Sequence, residues 1–246
     1  MLSRQQQKLT GILETSSLQS KAMDSQELPP SKLGTKDYWD DAYDVEINNF
    51  SDHGDIGDVW FGEGIMRKMV NWLCKNVSLD DPILDIGCGN GATLLELHDK
   101  GFKNLKGVDY SEKAVDLARL VADKHSAEGI VFERLDILAD NSKSDETFTA
   151  ILDKGTFDAI SLNPECSFND SREKYTRFIR KFLKSKGFFM MTSCNFTRDE
   201  LIQHFAAPDL KETFLVLKDD IPTPTMTFGG KKGNNVTSLV FQMKSS

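Results

Sequence analysis

The sequence has few of the residues that build disulfide frameworks and metal sites, and it has no long apolar run. Only 4 of its 246 residues are Cys and 4 are His. Cys74, Cys88, Cys166 and Cys194 lack the C-x-x-C spacing of zinc sites and redox motifs. No apolar segment approaches the roughly 20 residues of a membrane-spanning helix. We therefore expect reduced thiols in a cytoplasmic protein that holds no metal and contacts no membrane.

An excess of basic residues is also missing. The chain has 30 Lys and Arg against 38 Asp and Glu, which gives a net charge of −8. Nucleic acids and anionic membranes attract basic surfaces, so neither is an expected partner. The negative charge would suit a basic protein partner. It is equally well explained if the acidic residues only keep the protein soluble.

The length fits a single α/β domain, and no change of composition marks a second one. Residues 1–28 are polar, and we expect a disordered tail there, with a weak mitochondrial transit peptide as the alternative. Residues 29–80 are predicted to form a helical extension, and residues 81–246 the core. The expected oligomeric state is a monomer.

The most informative segment combines an apolar strand, a glycine turn and the start of a helix. It runs from Pro82 to Gly91, with Gly87 and Gly89 in the turn, and Asp109 ends the next apolar run. Glycines let a ligand approach the backbone, and the amides at the start of the following helix face that ligand. An acid at the end of the second strand lies where a ribose would bind. The segment predicts a site for an adenosine-containing cofactor.

The acid before the turn distinguishes two classes of cofactor. The pattern Gly87-x-Gly89-x-x-Ala92 also satisfies the dinucleotide fingerprint of dehydrogenases. Asp85, two residues before the first glycine, would repel a pyrophosphate. S-Adenosylmethionine carries an ammonium and a sulfonium there instead. The string Leu-Asp-Ile-Gly-x-Gly-x-Gly resembles the first motif of seven-strand methyltransferases that use this cofactor, and the sequence favours that class.

The order of apolar runs and amphipathic segments predicts a Rossmann-like α/β fold. We expect a mostly parallel seven-strand sheet with helices on both faces and an antiparallel hairpin at one edge. Trp39 and Tyr43 lie four residues apart and are predicted to share a helix face that packs on the domain. Predicted strands are 83–86, 105–109, 130–134, 148–152, 188–192, 213–217 and 236–242, and predicted helices within the core are 92–100, 111–124, 175–183 and 198–205.

Each candidate cofactor residue lies in or beside a turn at the end of a predicted strand. Asp85 is expected to hold the methionine ammonium, and Asp109 to accept hydrogen bonds from the ribose hydroxyls. Asp136 is expected to flank the adenine, with a solvent-exposed carboxylate as the alternative. The residues assigned to the cofactor are Asp85, Gly87, Cys88, Gly89, Asp109, Tyr110, Asp136, Ile137 and Asp153.

The acceptor site is predicted from the end of the fourth strand, which closes with Asp153. An acidic rim there suits a cationic acceptor such as a lysine, whose reference pKa is about 10.4 and whose neutral form desolvation would favour. Trp60 and Phe228 are assigned to the channel with Asp153, because ring faces attract cations; core packing is the alternative for both rings. Asn163-Pro164-Glu165 is predicted to be a turn.

Several motifs between about Pro30 and Phe241 resemble those of the protein-lysine methyltransferases of translation elongation factor 1-alpha. The Asp-Lys-Gly-Thr motif is shared with sister lysine methyltransferases, and the Thr-Ser-Cys-Asn and Phe-Gly-Gly motifs are narrower. The motifs are Ser31 to Trp39, Trp60-Phe61-Gly62, Leu84-Asp85-Ile86-Gly87, Asp153-Lys154-Gly155-Thr156, Thr192-Ser193-Cys194-Asn195 and Phe228-Gly229-Gly230.

The resemblance implies mono- or dimethylation of one lysine of elongation factor 1-alpha in the cytoplasm, with S-adenosylmethionine as the methyl donor. Two other functions remain open at this level. One is N- or O-methylation of a small molecule on the same fold, since the fold does not determine the acceptor. The other is a non-catalytic, cofactor-binding adaptor in intracellular transport.

Overall fold

The computed structural model describes residues 28–139, 144–207, 213–228 and 231–245. The tail predicted at residues 1–28 therefore lies outside the described residues, apart from Leu28. Between residues 225 and 234 the description covers the backbone alone, with residues 229–230 outside it.

A seven-strand sheet forms the centre of the molecule, in the order β3-β2-β1-β4-β5-β9-β6. Strands β1 to β5 pair in parallel, and β9 runs antiparallel to both β5 and β6. Two further strands, β7 and β8, form a separate antiparallel hairpin. The strands are β1 Ile83–Ile86, β2 Leu105–Asp109, β3 Val131–Arg134, β4 Phe148–Lys154, β5 Leu183–Ser193, β6 Leu215–Asp220, β7 Thr225–Phe228, β8 Lys231–Asn234 and β9 Thr237–Met243.

Helices cover both faces of the sheet, and a short 3-10 turn, Lys32–Gly34, precedes the first of them. The helices are α1 Lys36–His53, α2 Glu63–Asn76, α3 Ala92–Asp99, α4 Glu112–Lys124, α5 Thr156–Ser161, α6 Phe168–Phe182 and α7 Arg198–Phe205. Ser111 caps α4 by accepting a hydrogen bond from the Ala114 amide, as expected of a serine at that position.

The two faces of the sheet carry separate hydrophobic cores. One core contains the apolar sides of α2, α3 and α4, with Met69, Leu73 and Leu94 fully buried. The other core contains α5, α6 and α7 and is rich in aromatic rings, among them Phe157 and Tyr175. Helices on both faces bury a mostly parallel sheet, which explains why its central strands are buried along almost their whole length.

The predicted elements agree with the structure except at some boundaries in the second half. Helix α6 begins at Phe168, seven residues before the predicted start, and β5 begins at Leu183 instead of residue 188. Leu183 pairs with Phe148 and residue 188 pairs with Ala150, so residues 184–187 bulge opposite one residue of β4. The segment 222–230, predicted only as a connection, contains β7.

Candidate active site

The turn between β1 and α3 brings backbone to the edge of a cavity of about 460 Å³. Gly87, Gly89 and Gly91 have φ angles of 63°, 54° and 76°, which side chains rarely adopt. A Cβ on Gly87 would lie 2.0 Å from Thr156 Oγ1, and a Cβ on Gly89 would lie 2.7 Å from the Tyr43 hydroxyl. The turn therefore requires glycine both for its conformation and for its close neighbours.

Asp109, the last residue of β2, is buried beside this turn and holds two loops together. Its Oδ2 accepts a hydrogen bond from the Gly89 amide at 3.1 Å, and its Oδ1 accepts one from the Ser111 amide at 3.0 Å. Burial raises the pKa of Asp109 to about 6, and the amide donors oppose that shift. The carboxylate is therefore close to its titration range at neutral pH, and it lies in the cavity wall.

Asp85 in β1 is buried, with 2% of its surface exposed. Within the part of the chain that the structure describes, no group donates a hydrogen bond to its carboxylate. Burial raises the pKa of Asp85 to about 7; nearby Lys154 opposes the shift and Asp109 adds to it. A buried carboxylate without donors is costly, so Asp85 fits the binding of a cationic group.

Helix α1 and the segment that follows it cover the cavity. Trp39 and Tyr43 stack with ring centroids 6.0 Å apart and line the cavity, so their shared face packs over the site. Asp40 accepts a hydrogen bond from the Ser111 hydroxyl at 2.6 Å. Asn90 of the glycine turn donates from its side chain to the Ile56 carbonyl at 2.9 Å. The cover is thus joined by polar bonds to the loops that would contact the cofactor.

Trp60 lies in the cavity wall beside the end of β4. A Cβ on Gly155 would be 2.6 Å from the Trp60 ring, and Trp39 contacts the same ring edge to face at 5.7 Å between centroids. Its neighbour Phe61 packs against the first core instead. Trp60 therefore lines the cavity, and its role in an acceptor channel stays a prediction.

Asp85 and Asp153 are the two predicted site residues on β1 and β4, and neither lines the cavity. Asp153 has hydrogen-bond partners within the protein. It is fully buried, and its Oδ1 accepts hydrogen bonds from the amides of Gly155 and Thr156 at 3.0 and 2.9 Å. Its Oδ2 accepts from the Phe157 amide at 2.9 Å and from the Tyr175 hydroxyl at 2.5 Å. All four donors belong to the protein, so the carboxylate caps the start of α5. The acidic residues that do line the cavity are Glu46, Asp58, Asp109, Asp136 and Glu165.

Most of the other predicted site residues meet at this cavity. Asp136 is exposed, and its Oδ1 accepts from the Leu138 amide at 2.9 Å, while Ile137 beside it is buried. The side chain of Phe228 lies outside the described part of the structure. The predicted residues that line the cavity are Trp60, Gly87, Cys88, Gly89, Asp109, Tyr110, Asp136 and Ile137.

The cavity also contains residues that the sequence did not assign to it. Asn90 and Thr156 join loops from distant parts of the chain, and no local pattern marks that role. Lys154 follows Asp153 in a motif that the sequence did single out. Asn163 and Glu165 form the predicted turn, with the Glu165 amide donating to Asn163 Oδ1 at 2.8 Å, and they also line the cavity.

The described ranges contain no group of His, Cys, Asp and Glu side chains that could hold a metal ion. No helix in this part of the chain is both long and apolar enough to cross a membrane.

Comparison with known proteins identifies the family. A family model described as a methyltransferase domain matches residues 78–239. EEF1A lysine methyltransferase 2 of Homo sapiens is 42% identical over 214 residues, which cover 87% of either chain. Protein-lysine N-methyltransferase EFM4 of Saccharomyces cerevisiae is 37% identical over 227 residues, covering 87% of this chain and 96% of its own.

Solved structures show the same fold at low sequence identity. The [4+2]-cyclase SpnF aligns with a TM-score of 0.62 at 13% identity and covers 89% of this chain and 98% of its own. Magnesium protoporphyrin IX methyltransferase from Synechocystis, solved with bound SAH, aligns with a TM-score of 0.55 at 15% identity and covers 85% of this chain and 98% of its own.

The fold and the family match together define the class: the chain belongs to the methyltransferase-domain family. Within that family it belongs with the EEF1A lysine methyltransferase 2 and EFM4 proteins. The predicted fold class, enzyme class and family resemblance are confirmed, and so is S-adenosylmethionine as the cofactor.

Proposed function

We propose that this protein is an S-adenosylmethionine-dependent N-methyltransferase that adds one or two methyl groups to a lysine of translation elongation factor 1-alpha. The observation that carries the proposal is the similarity to EEF1A lysine methyltransferase 2 over 87% of both chains. The cavity supports it, because its glycine turn and buried acids suit a cationic, adenosine-containing ligand.

The residues around the cavity suit S-adenosylmethionine in three ways. The turn at Gly87 and Gly89 lets a ligand approach the backbone, as their positive φ angles allow. The Asp85 carboxylate suits the ammonium, and Asp109 would accept from ribose hydroxyls while it holds the turn in place. Asp136 and Ile137 would flank the adenine from the loop after β3. Bound S-adenosylmethionine supplies the methyl group on its sulfonium.

The acceptor side of the cavity suits a lysine. Glu46, Asp58 and Glu165 line the cavity and would attract a cationic side chain. The rings of Trp39 and Trp60 would exclude water around the amine, and desolvation lowers the pKa of an ammonium. Because a methyl transfer depends mainly on alignment, we propose that the walls orient a neutral amine that has lost its proton to water. No obligate general base is proposed.

We further infer that the protein acts in the cytoplasm as a monomer. All four cysteines are free thiols, which is typical of a reducing compartment. Size-exclusion chromatography with light scattering would test the monomer, and a dimer mass would contradict it.

The proposed activity is tested with purified protein, methyl-labelled S-adenosylmethionine and a cytosolic lysate, beside purified elongation factor 1-alpha. We expect label on one lysine of the factor, identified by peptide mass. Asp85→Ala should abolish the label. Asp80→Ala is the matched control, since Asp80 is exposed in the loop before β1 and its carboxylate pairs with Lys103 on the surface.

Each other result points to another function. Label confined to small molecules would establish the small-molecule methyltransferase instead. Measured binding of S-adenosylmethionine without any transfer would support the non-catalytic adaptor.

A further inference from the structure

Lys154, the last residue of β4, places a half-buried cation in the cavity wall. In the described part of the structure its ammonium forms no hydrogen bond and no ion pair. Burial lowers the pKa of Lys154, and the nearby charges of Asp85 and Asp153 oppose the shift. A half-buried ammonium without a protein partner has lost part of its hydration, so its place in the cavity wall suits an anionic group of a ligand.

The geometry of the sheet relates Lys154 to Asp85. Asp85 in β1 pairs with Leu152 in the parallel neighbour β4. Side chains two residues apart on a strand share a face, so Lys154 lies on the same side of the sheet as Asp85, one step nearer the cavity. Each charge shifts the other's pKa, and yet the two groups are not close enough for an ion pair.

The other lysines of the cavity already have partners. Lys36 pairs with Asp40 within α1. Lys174 pairs with Asp170 at 2.9 Å within α6. Asp153 is also engaged, since its carboxylate accepts four hydrogen bonds from the protein. Among the described residues, Asp85 and Lys154 are therefore neighbouring opposite charges that lack a bonding partner, and Lys154 is the one that lines the cavity.

We propose that Lys154 binds the α-carboxylate of the amino-acid end of S-adenosylmethionine while Asp85 binds its α-ammonium. An anion and a cation held side by side without pairing match a zwitterion, which carries both charges on adjacent groups. The proposal rests on the proposed function, since it assigns one more residue to the same cofactor. It makes Lys154 a determinant of specificity for ligands that retain the carboxylate.

The test measures dissociation constants by calorimetry for two ligands. One is S-adenosylmethionine, and the other is its decarboxylated form, which keeps the adenosine, the sulfonium and the amine. A charged hydrogen bond in a buried site is worth about 10- to 100-fold in affinity. We expect the wild type to prefer S-adenosylmethionine by that factor, and Lys154→Met to bind both ligands about equally.

Lys174→Met is the matched control, because it removes a lysine of the outer cavity that is already neutralised by Asp170. It should leave the preference between the two ligands unchanged. Thermal unfolding of both variants would show that each is folded.

Equal weakening of both ligands by Lys154→Met would overturn the proposal, because Lys154 would then act only through the charge of Asp85. A wild type that binds both ligands equally would overturn it as well. A wild type that binds neither ligand would instead contradict the proposed function.

Discussion

The ends of β1 and β4 are neighbours in the sheet, and each carries a buried aspartate. Asp85 of β1 has the charge of Lys154 nearby but accepts no hydrogen bond from the described residues. Asp153 of β4 accepts four hydrogen bonds. Burial raises the pKa of both carboxyls to about 7. The same residue type therefore has two different surroundings at the same edge of the sheet.

The difference separates a binding role from a structural one. The donors around Asp153 belong to the start of α5 and to Tyr175 of α6, so its carboxylate joins two helices to the sheet. Asp85 joins nothing in the described chain and is left for a ligand. Removing the Asp153 carboxylate should mainly lower the stability of the fold. Removing the Asp85 carboxylate should mainly lower the affinity for the cofactor.

The largest effect is expected for Asp153→Ala. The change leaves the Thr156 and Phe157 amides and the buried Tyr175 hydroxyl without their acceptor, while the Gly155 amide keeps the Thr192 carbonyl, and we expect a loss of about 3 kcal/mol in the free energy of unfolding. Urea denaturation followed by circular dichroism measures it. Tyr175→Phe, which removes one of the four hydrogen bonds, should cost about 1 kcal/mol.

A stable Asp153→Ala protein that fails to bind S-adenosylmethionine would reverse the assignment. Asp153 would then have the cofactor role predicted from the sequence, and the comparison with Asp85 would no longer hold.

The next effect concerns Asp85→Asn, which keeps the shape of the side chain and removes its charge. We expect the dissociation constant for S-adenosylmethionine to rise about 10- to 100-fold, because a charged hydrogen bond to the ammonium is lost. The free energy of unfolding should not fall, since an ionised Asp85 is disfavoured by burial in the unliganded fold. Calorimetry and urea denaturation of the same preparation measure both quantities.

The sequence predicted the succession of strands and helices along the chain and the glycine turn after β1, because both depend on local patterns. The glycines, the N-cap at Ser111 and the acids at the strand ends are all visible in short segments. The different roles of Asp85 and Asp153 were not visible, because Tyr175 reaches Asp153 from 22 residues further along the chain. The closure of the cavity by Trp39 and Tyr43 was likewise set by tertiary packing.

The smallest effect is a dependence of affinity on pH. The folded pKa of Asp85 is about 7 and that of Asp109 about 6. Below these values the carboxyls are protonated, and a proton must leave before the ligand binds. We expect the dissociation constant to rise as pH falls from 7.5 to 5.5, by at most about tenfold per unit for each proton.

The Asp85→Asn variant sharpens this prediction. In this variant the dissociation constant should no longer change with pH near 7, where the wild-type Asp85 titrates. The pH dependence of stability should run in the opposite direction to that of affinity. Because the wild-type pKa is raised in the fold, ionisation of Asp85 lowers wild-type stability as pH rises through 7. The melting temperature of the variant should exceed that of the wild type at pH 8 and approach it at pH 5.5. An unchanged difference across this range would contradict the assigned pKa.

The position of α1 has a consequence for how the protein is made. The helix has no buried residue of its own, and it contacts the turn at Gly89 and the cap at Ser111, which lie about 40 to 70 residues further along the chain. During synthesis α1 leaves the ribosome before the surface on which it rests exists. The cover of the cavity is therefore made first and can dock only after the strands that define the cavity have been made.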